Sequence, residues 1–112
     1  MKYAMFIGRY QPLHDGHIWL FNSKIESGTP VLICVRDVQP DEKNPWTASQ
    51  VVENIESRLQ DWVSSGMLKV IVIPDIEGVY YGRDVGYKVE QIQAPQEIQD
   101  ISATKIRKEM GI

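Results

Sequence analysis

Two histidines near the start of the chain are the residues best suited to chemistry. His14 and His17 are the only histidines, and both fall in the segment Gly8-Arg-Tyr-Gln-Pro-Leu-His-Asp-Gly-His17. Across the start of a predicted helix, this spacing lets both imidazoles point to one bound phosphate. Imidazole N–H groups in that position stabilise the charge that develops on phosphoryl oxygens during transfer. The pair therefore indicates a site for phosphoryl chemistry.

Glycines flank the histidine pair. Gly8 and Gly16 let the backbone approach a ligand closely, and the helix that begins at Gly16 is predicted to offer free N–H groups to an anion. Zinc binding by His-x-x-His is an alternative, but no clear third ligand accompanies the pair, and Cys34 is predicted to lie within a strand. A further alternative is that one histidine starts the helix and the other is packed. Because both histidines lie in one glycine-flanked turn, the sequence favours a phosphate site over these two alternatives.

The composition is that of a small globular domain spanning residues 1–112, with 43% hydrophobic residues and a net charge of −3. A chain of this size buries roughly two-thirds of its surface, so its core needs no disulfide. The single Cys34 fits a reducing compartment, and we expect a cytoplasmic protein. The acidic balance argues against nucleic-acid binding. The apolar runs are too short to span a membrane, and no secretory signal is recognised.

The elements that must position the histidines alternate along the chain. Short apolar runs predict buried strands at residues 2–7, 31–35 and 69–73. Helical patterns predict helices over residues 16–25 and from Thr47 to Gly66, with Gln50 at capping-box spacing from Thr47. This order predicts an α/β, Rossmann-like fold with an open, mostly parallel sheet and helices on both faces. Ligands bind beyond the carboxyl ends of such strands, where the histidine segment begins.

The second half of the chain carries weaker patterns. Residues 79–81 and 88–92 each have the composition of a strand. The gap between them is too short for a helical crossover, so they are not predicted to be parallel neighbours. Residues 102–107 predict a short capped helix that ends near Gly111.

Two segments resemble the HxGH nucleotidyltransferase superfamily. Residues 8–17 resemble its signature, G-x-[FY]-x-P-x-H-x-G-H, and residues 101–107, Ile-Ser-Ala-Thr-Lys-Ile-Arg, resemble its second motif, I-S-x-T-x-[IL]-R. Arg9, Gln11 and the Asn-Pro-Trp-Thr-Ala segment at 44–48 are similar to archaeal-type nicotinamide-mononucleotide adenylyltransferases. The short length is similar to that of glycerol-3-phosphate cytidylyltransferases. Two features of these groups are missing, the R-T-E-G segment of the cytidylyltransferases and a helix between the last two strands.

The resemblance implies transfer of AMP or CMP from ATP or CTP to a small phosphate-bearing acceptor, with release of pyrophosphate. It assigns catalytic roles to His14, His17 and Arg107. It assigns nucleotide and phosphate binding to Gly8, Arg9, Tyr10, Gly16, Ser102 and Thr104. Mg²⁺ is the expected cofactor, bound through the triphosphate and water, so no metal-ligating side chains are expected. A homodimer is expected from the small size and the aromatic residues between Trp46 and Tyr87.

Five further residues are predicted to contact the acceptor or the base: Arg36, Asp37, Lys43, Trp46 and Arg83. A surface ion pair is the alternative for Arg36 and Asp37, and anchoring of a helix is the alternative for Trp46.

Several motif residues also have ordinary structural alternatives. Ser102 and Thr104 suit helix caps. Arg107 and Lys108 suit the last turn of a helix, where basic side chains complement the helix dipole. Arg9 has a salt bridge with Asp15 as its alternative.

Other functions fit the residues less well. A non-catalytic nucleotide-binding or sensing module is the main alternative, but binding alone would not require His17. A dinucleotide oxidoreductase and a P-loop protein are disfavoured, because neither G-x-G-x-x-G after the first strand nor a Walker A sequence is present. A metal-dependent hydrolase would use the histidine pair as ligands. Arg9, Gln11 and residues 44–48 favour adenylyl over cytidylyl transfer.

Overall fold

A computed structural model describes residues 1–84 and 86–111 of the chain. Within them the elements are, in order, β1 (Ala4–Gly8), α1 (Asp15–Ile25), β2 (Val31–Asp37), α2 (Ala48–Arg58), α3 (Gln60–Ser64), β3 (Leu68–Pro74), α4 (Gln96–Gln99) and α5 (Ala103–Glu109). The predicted alternation of strands and helices is confirmed over the first two-thirds of the chain. None of the helices in these described ranges is long and apolar enough to cross a membrane.

The strands form one parallel sheet in the order β1-β2-β3. Gly8 lies beside Val35, and Val35 lies beside Val72, so the carboxyl ends of the three strands meet at one edge. This arrangement confirms the predicted Rossmann-like open parallel sheet. It also places the signature segment, which follows β1, at the edge where such sheets bind ligands.

The core forms where α1 and α2 pack against alternate residues of β2. Val31, Ile33 and Val35 are fully buried, and they join Phe21 of α1 and Ile55 of α2 in one cluster. Consecutive strands are neighbours, and right-handed crossovers between them carry successive helices to the same side of a sheet. α1 and α2 therefore contribute side chains to one core on one face of the sheet, and the predicted placement of helices on both faces does not hold for these two helices.

The predicted helix from Thr47 to Gly66 is divided into α2 and α3. Its start is confirmed, because Thr47 Oγ1 accepts the backbone N–H of Gln50 at 3.2 Å and Gln50 Oε1 accepts that of Thr47 at 2.9 Å. The division falls at Leu59, whose backbone leaves the helical region (φ −114°, ψ 31°) while its side chain stays in the core. Gly66 then ends the segment with a φ of +80°, a left-handed conformation that suits glycine.

The prediction of strands at 79–81 and 88–92 is wrong for the described residues. Tyr80, Tyr81 and Val89 are 74%, 63% and 65% exposed. A strand needs a neighbouring backbone to complete its hydrogen bonds, and in the described part of the chain β1 is paired with β2 alone. Strand-like composition was therefore not sufficient. The capped helix near the C-terminus is confirmed as α5, and α4, before it, was not predicted.

Candidate active site

The histidine pair forms a capping box at the start of α1. His14 Nδ1 accepts the backbone N–H groups of Gly16 at 3.1 Å and His17 at 3.4 Å. His17 Nδ1 accepts the backbone N–H of His14 at 3.1 Å. A neutral imidazole that accepts at Nδ1 carries its proton on Nε2. Both rings therefore have an Nε2–H group that these contacts leave for a ligand.

The two rings are stacked, with centroids 3.7 Å apart and planes 17° from parallel. Burial, with a smaller effect from His14, lowers the pKa of His17 from its ordinary 6.5 to about 3. Burial also lowers the pKa of His14. Both imidazoles are therefore neutral at physiological pH, and the pair offers hydrogen-bond donors to an anion without a fixed positive charge.

The structure corrects the expectation that the start of α1 offers free N–H groups to an anion. His14 Nδ1 already accepts those of Gly16 and His17. Gly16 makes room for this contact, because a Cβ there would lie 2.8 Å from Cε1 of His14. The glycine of the H-x-G-H sequence thus allows the His14 ring to fold back over the helix.

Tyr10 packs beneath the histidines. It is 5% exposed and adopts a φ of +50°, which is uncommon for a side chain of this size. Its ring meets that of His17 edge to face, with centroids 4.8 Å apart. Gly8 permits this conformation, since a Cβ there would lie 3.0 Å from the tyrosine ring. Burial raises the pKa of the Tyr10 hydroxyl, which stays protonated.

Gln11 is one of the residues that carry the resemblance to the archaeal-type adenylyltransferases, but the sequence did not indicate its role in the fold. It is 4% exposed, its Nε2 donates to the carbonyl oxygen of Trp46 at 2.9 Å, and its Oε1 accepts the N–H of Trp46 at 3.0 Å. Trp46 also packs against the core, which agrees with the alternative that it anchors a helix. The resemblance marked Gln11 and residues 44–48 separately, and nothing in the sequence identifies Trp46 as the partner of Gln11.

Arg107 joins the second motif to the first. It is 8% exposed, one of its terminal nitrogens donates to the carbonyl oxygen of Gln11, and the other donates to Thr104 Oγ1 at 3.4 Å. Ser102 caps α5, because its hydroxyl accepts the backbone N–H of Lys105 at 3.2 Å. The structure thus brings the two motifs together.

Arg36 forms a surface ion pair. Its Nη2 lies 2.7 Å from Asp75 Oδ1, and it also donates to the carbonyl oxygen of Ile76 at 3.3 Å. Asp37, the last residue of β2, is exposed. Arg83 is exposed in the segment that follows β3, outside the sheet.

Arg9 is exposed beside the signature turn, and it is not the partner of Asp15. Asp15 instead lies 3.4 Å from Arg58 Nη2, and Arg58 Nη1 donates to the carbonyl oxygen of Leu13 at 2.9 Å. This contact ties the histidine turn to α2.

Asp41 organises the loop before Trp46. Its Oδ1 accepts the backbone N–H groups of Lys43 at 2.9 Å and Asn44 at 2.8 Å. Hydrogen bonds from Asn44, with a smaller effect from the charge of Arg9, hold the pKa of Asp41 below its ordinary value. Lys43 itself is exposed.

Two cavities border these residues. The smaller, about 240 Å³, is lined by His14 and His17 together with residues 91–94 and residues from α4 to Ile101. The larger, about 500 Å³, contains neither histidine and is lined by Tyr10, Trp46 and the exposed side of α2. Because both histidines line the smaller cavity, it is the candidate reaction site despite its size. Among the described residues, no group of three or more His, Cys, Asp or Glu is placed to hold a metal ion.

No protein-family model matches the chain. The nicotinamide-nucleotide adenylyltransferase of Pyrococcus furiosus is 31% identical over 143 residues, covering 98% of this chain and 73% of that protein. The same enzyme of Thermococcus sibiricus is 30% identical, covering 96% and 72%. The first alignment is longer than the 112 residues of this chain, so that relative contains internal segments with no counterpart here. Between β3 and α4 the described residues form no helix, so the absence there of the helix expected from the resemblance is consistent with this difference.

Proposed function

We infer that this chain, which belongs to the HxGH nucleotidyltransferase superfamily with the nicotinamide-nucleotide adenylyltransferases, transfers an adenylyl group from ATP to the phosphate of a small acceptor. The observation that carries this proposal is the pair of Nε2–H groups on His14 and His17, fixed by the hydrogen bonds that their Nδ1 atoms accept. Two neutral donors side by side suit two oxygens of one phosphate.

In the proposed reaction an oxygen of the acceptor phosphate attacks the α-phosphorus of ATP in line. The bond from that phosphorus to the bridging oxygen of the β-phosphate breaks, and pyrophosphate leaves with the electron pair. The attacking oxygen is already ionised, so no general base is required. The protein orients the substrates, and the Nε2–H groups of His14 and His17 stabilise the charge on the α-phosphate oxygens.

The donor and acceptor are proposed from the relatives and from the signature. ATP is favoured over CTP by Arg9, Gln11 and residues 44–48, and nicotinamide mononucleotide is the acceptor that the names of the relatives suggest. We propose that Mg²⁺ arrives as part of the substrate, held by triphosphate oxygens and water. The imidazole Nε2–H groups fit this assignment, because they donate to phosphate oxygens and are not cation ligands in that form.

The remaining motif residues are proposed to surround the substrates. The phosphates are assigned to Arg9, Ser102 and Thr104. Arg107 is proposed to assist them from its buried position, where it contacts Thr104. Arg36, Asp37, Lys43, Trp46 and Arg83 remain the proposed contacts of the acceptor or base. Exposure of Arg9 beside the histidine turn supports its assignment, while the ion pair of Arg36 with Asp75 must open before Arg36 can bind a ligand.

The proposal is tested by measuring pyrophosphate release from MgATP or MgCTP with nicotinamide mononucleotide or glycerol 3-phosphate as acceptor. We expect turnover with MgATP and nicotinamide mononucleotide, and formation of the dinucleotide. Thermal unfolding with each nucleotide provides an independent measure, since a ligand at a hundred times its Kd adds about 2.7 kcal/mol. Stabilisation by ATP without turnover with any acceptor would favour the non-catalytic nucleotide-binding module.

We also propose that the protein is a cytoplasmic homodimer. Met5, Tyr80, Tyr81 and Tyr87 are each more than half exposed, and their burial between two copies would remove apolar surface from water. Cys34 is buried and forms no disulfide, as suits a reducing compartment. Sedimentation equilibrium of the purified chain tests the dimer.

A further inference from the structure

Gln11 connects three separate segments of the chain. Its side chain exchanges two hydrogen bonds with the backbone of Trp46, 35 positions away, and its own carbonyl oxygen accepts from Arg107, 96 positions away. With 4% of its surface exposed, its amide must be satisfied by these contacts. An amide side chain has a donor and an acceptor side by side, as the N–H and C=O of a single residue require.

Trp46, the residue that Gln11 holds, lines the larger cavity of about 500 Å³. That volume lies within the range of small-molecule sites. Its lining includes the aromatic rings of Tyr10 and Trp46. It also includes side chains that can exchange hydrogen bonds, namely Gln50, Glu53 and Asn54. No lysine or arginine is among its described lining residues, and Glu53 would repel an anion. The lining therefore suits an uncharged or cationic ring and not a phosphate.

We propose that Gln11 is a positioning residue, which holds Trp46 as one wall of a subsite for a heteroaromatic nucleotide base in this cavity. This inference rests on the proposed function, because the proposed substrates, ATP and nicotinamide mononucleotide, supply the two candidate bases, adenine and nicotinamide. Adenine and nicotinamide are both flat rings that stack on an aromatic side chain and exchange hydrogen bonds at their edges. Tyr10, which touches His17 and lines the cavity, connects this subsite to the histidine pair.

The test is the variant Gln11→Glu, studied at two pH values. The carboxylate still accepts from the N–H of Trp46, but it cannot donate to the Trp46 carbonyl oxygen and places a negative charge against it. Burial raises the pKa of a carboxyl group at this position, so mild acid protonates it and restores the donor. The matched control is Gln60→Glu, the same change at an exposed residue.

Binding of MgATP and of nicotinamide mononucleotide is measured separately by calorimetry, which does not depend on turnover. We expect Gln11→Glu to weaken one of the two ligands by about tenfold at neutral pH, as for a lost hydrogen bond, with recovery near pH 5.5. The affected ligand identifies the base. Gln60→Glu leaves both affinities unchanged.

A second variant keeps the test independent of the folding of Gln11→Glu. Trp46→Leu should weaken the same ligand as Gln11→Glu, whereas Trp46→Phe, which keeps an aromatic face, should retain most of the affinity. Unchanged affinity for both ligands in Gln11→Glu and Trp46→Leu overturns the inference. Binding without turnover in the wild-type chain contradicts the proposed function alone, and these variants still decide the role of Gln11.

Discussion

His17 accepts the backbone N–H of His14 at its Nδ1 atom, 3.1 Å away, while His14 Nδ1 accepts the backbone N–H of His17 at 3.4 Å. Each imidazole thus holds the backbone from which the other projects. The contacts at Nδ1 are structural, and the proposed contact with phosphate is assigned to Nε2. Because the two ring nitrogens have different tasks, substitutions that imitate one nitrogen at a time can separate them.

His17→Asn should fold normally and lose activity, because its amide oxygen lies near the position of Nδ1 but nothing replaces the Nε2–H group. We expect turnover to fall by at least about a hundredfold, the effect of removing one donor to the transition state. His17→Gln, whose amide nitrogen reaches the position of Nε2, should retain more of the activity. Steady-state kinetics compare the two, and equal turnover in wild-type and His17→Asn proteins would remove His17 from the chemistry.

His14→Ala should destabilise the protein, since it deletes the side chain that caps α1. The expected loss is about 1 kcal/mol, or roughly 4–8 °C in Tm for a small domain. His14→Asp restores a capping oxygen and should recover the stability without the activity, because it cannot donate to a phosphate. Calorimetric unfolding and turnover are measured on both variants. A loss of Tm as large in His14→Asp as in His14→Ala would contradict the capping role.

Stability should fall as the pH is lowered below 6.5. The pKa of His17 is about 3 in the folded chain against an ordinary 6.5, so between these values the unfolded state binds the additional proton. Folding free energy is then lost at about 1.4 kcal/mol per pH unit for this histidine. His17→Asn lacks the group and should show a shallower decline. Urea unfolding from pH 7 to pH 4 measures both slopes, and parallel slopes would be inconsistent with the lowered pKa.

Arg107→Ala should reduce both stability and nucleotide affinity. It removes the donor to the carbonyl oxygen of Gln11, and a hydrogen bond from a charged group contributes about 1.5–3 kcal/mol. We also expect the KM for ATP to rise. Lys108→Ala, at the exposed neighbouring position, is the control and should change neither. A destabilised Arg107→Ala protein with an unchanged KM for ATP would limit Arg107 to holding the two motifs together.

Gly16→Ala should lower turnover with little effect on stability. The added Cβ would lie 2.8 Å from the His14 ring and displace it. The cap that is lost is offset by the greater helix propensity of alanine over glycine. Gly28→Ala is the matched control with the opposite expectation. Its φ of +87° strains alanine by about 1–2 kcal/mol, far from the histidines in the chain. Turnover and Tm of the two variants are compared, and normal turnover in Gly16→Ala would contradict the need for the His14 position.

Local signals accounted for much of what could be predicted. The apolar runs predicted the presence of β1, β2 and β3, but the expected burial holds only for the central strand β2. Met5 of β1 and Val72 of β3 are 57% and 47% exposed, because these strands form the two edges of the sheet. The capping box at Thr47 and the glycine at 66 predicted where the α2–α3 segment begins and ends, since both act within one turn. The strand predictions for residues 79–81 and 88–92 were wrong because a strand, unlike a helix cap, is not decided by residues within one turn. A strand depends on hydrogen bonds to a partner strand that can lie anywhere in the chain, and local composition does not supply that partner.

The sequence by itself determined the residues to which the proposed chemistry is assigned: two histidines at the spacing of one helical turn, and a second motif at the far end of the chain. Only the tertiary structure decided how these residues are used. It closed the start of α1 with His14, buried Arg107 against Gln11, and joined Gln11 to Trp46. Spacing within a turn is fixed by helix geometry, whereas a contact between residues 96 positions apart exists only once the sheet and its crossovers have folded.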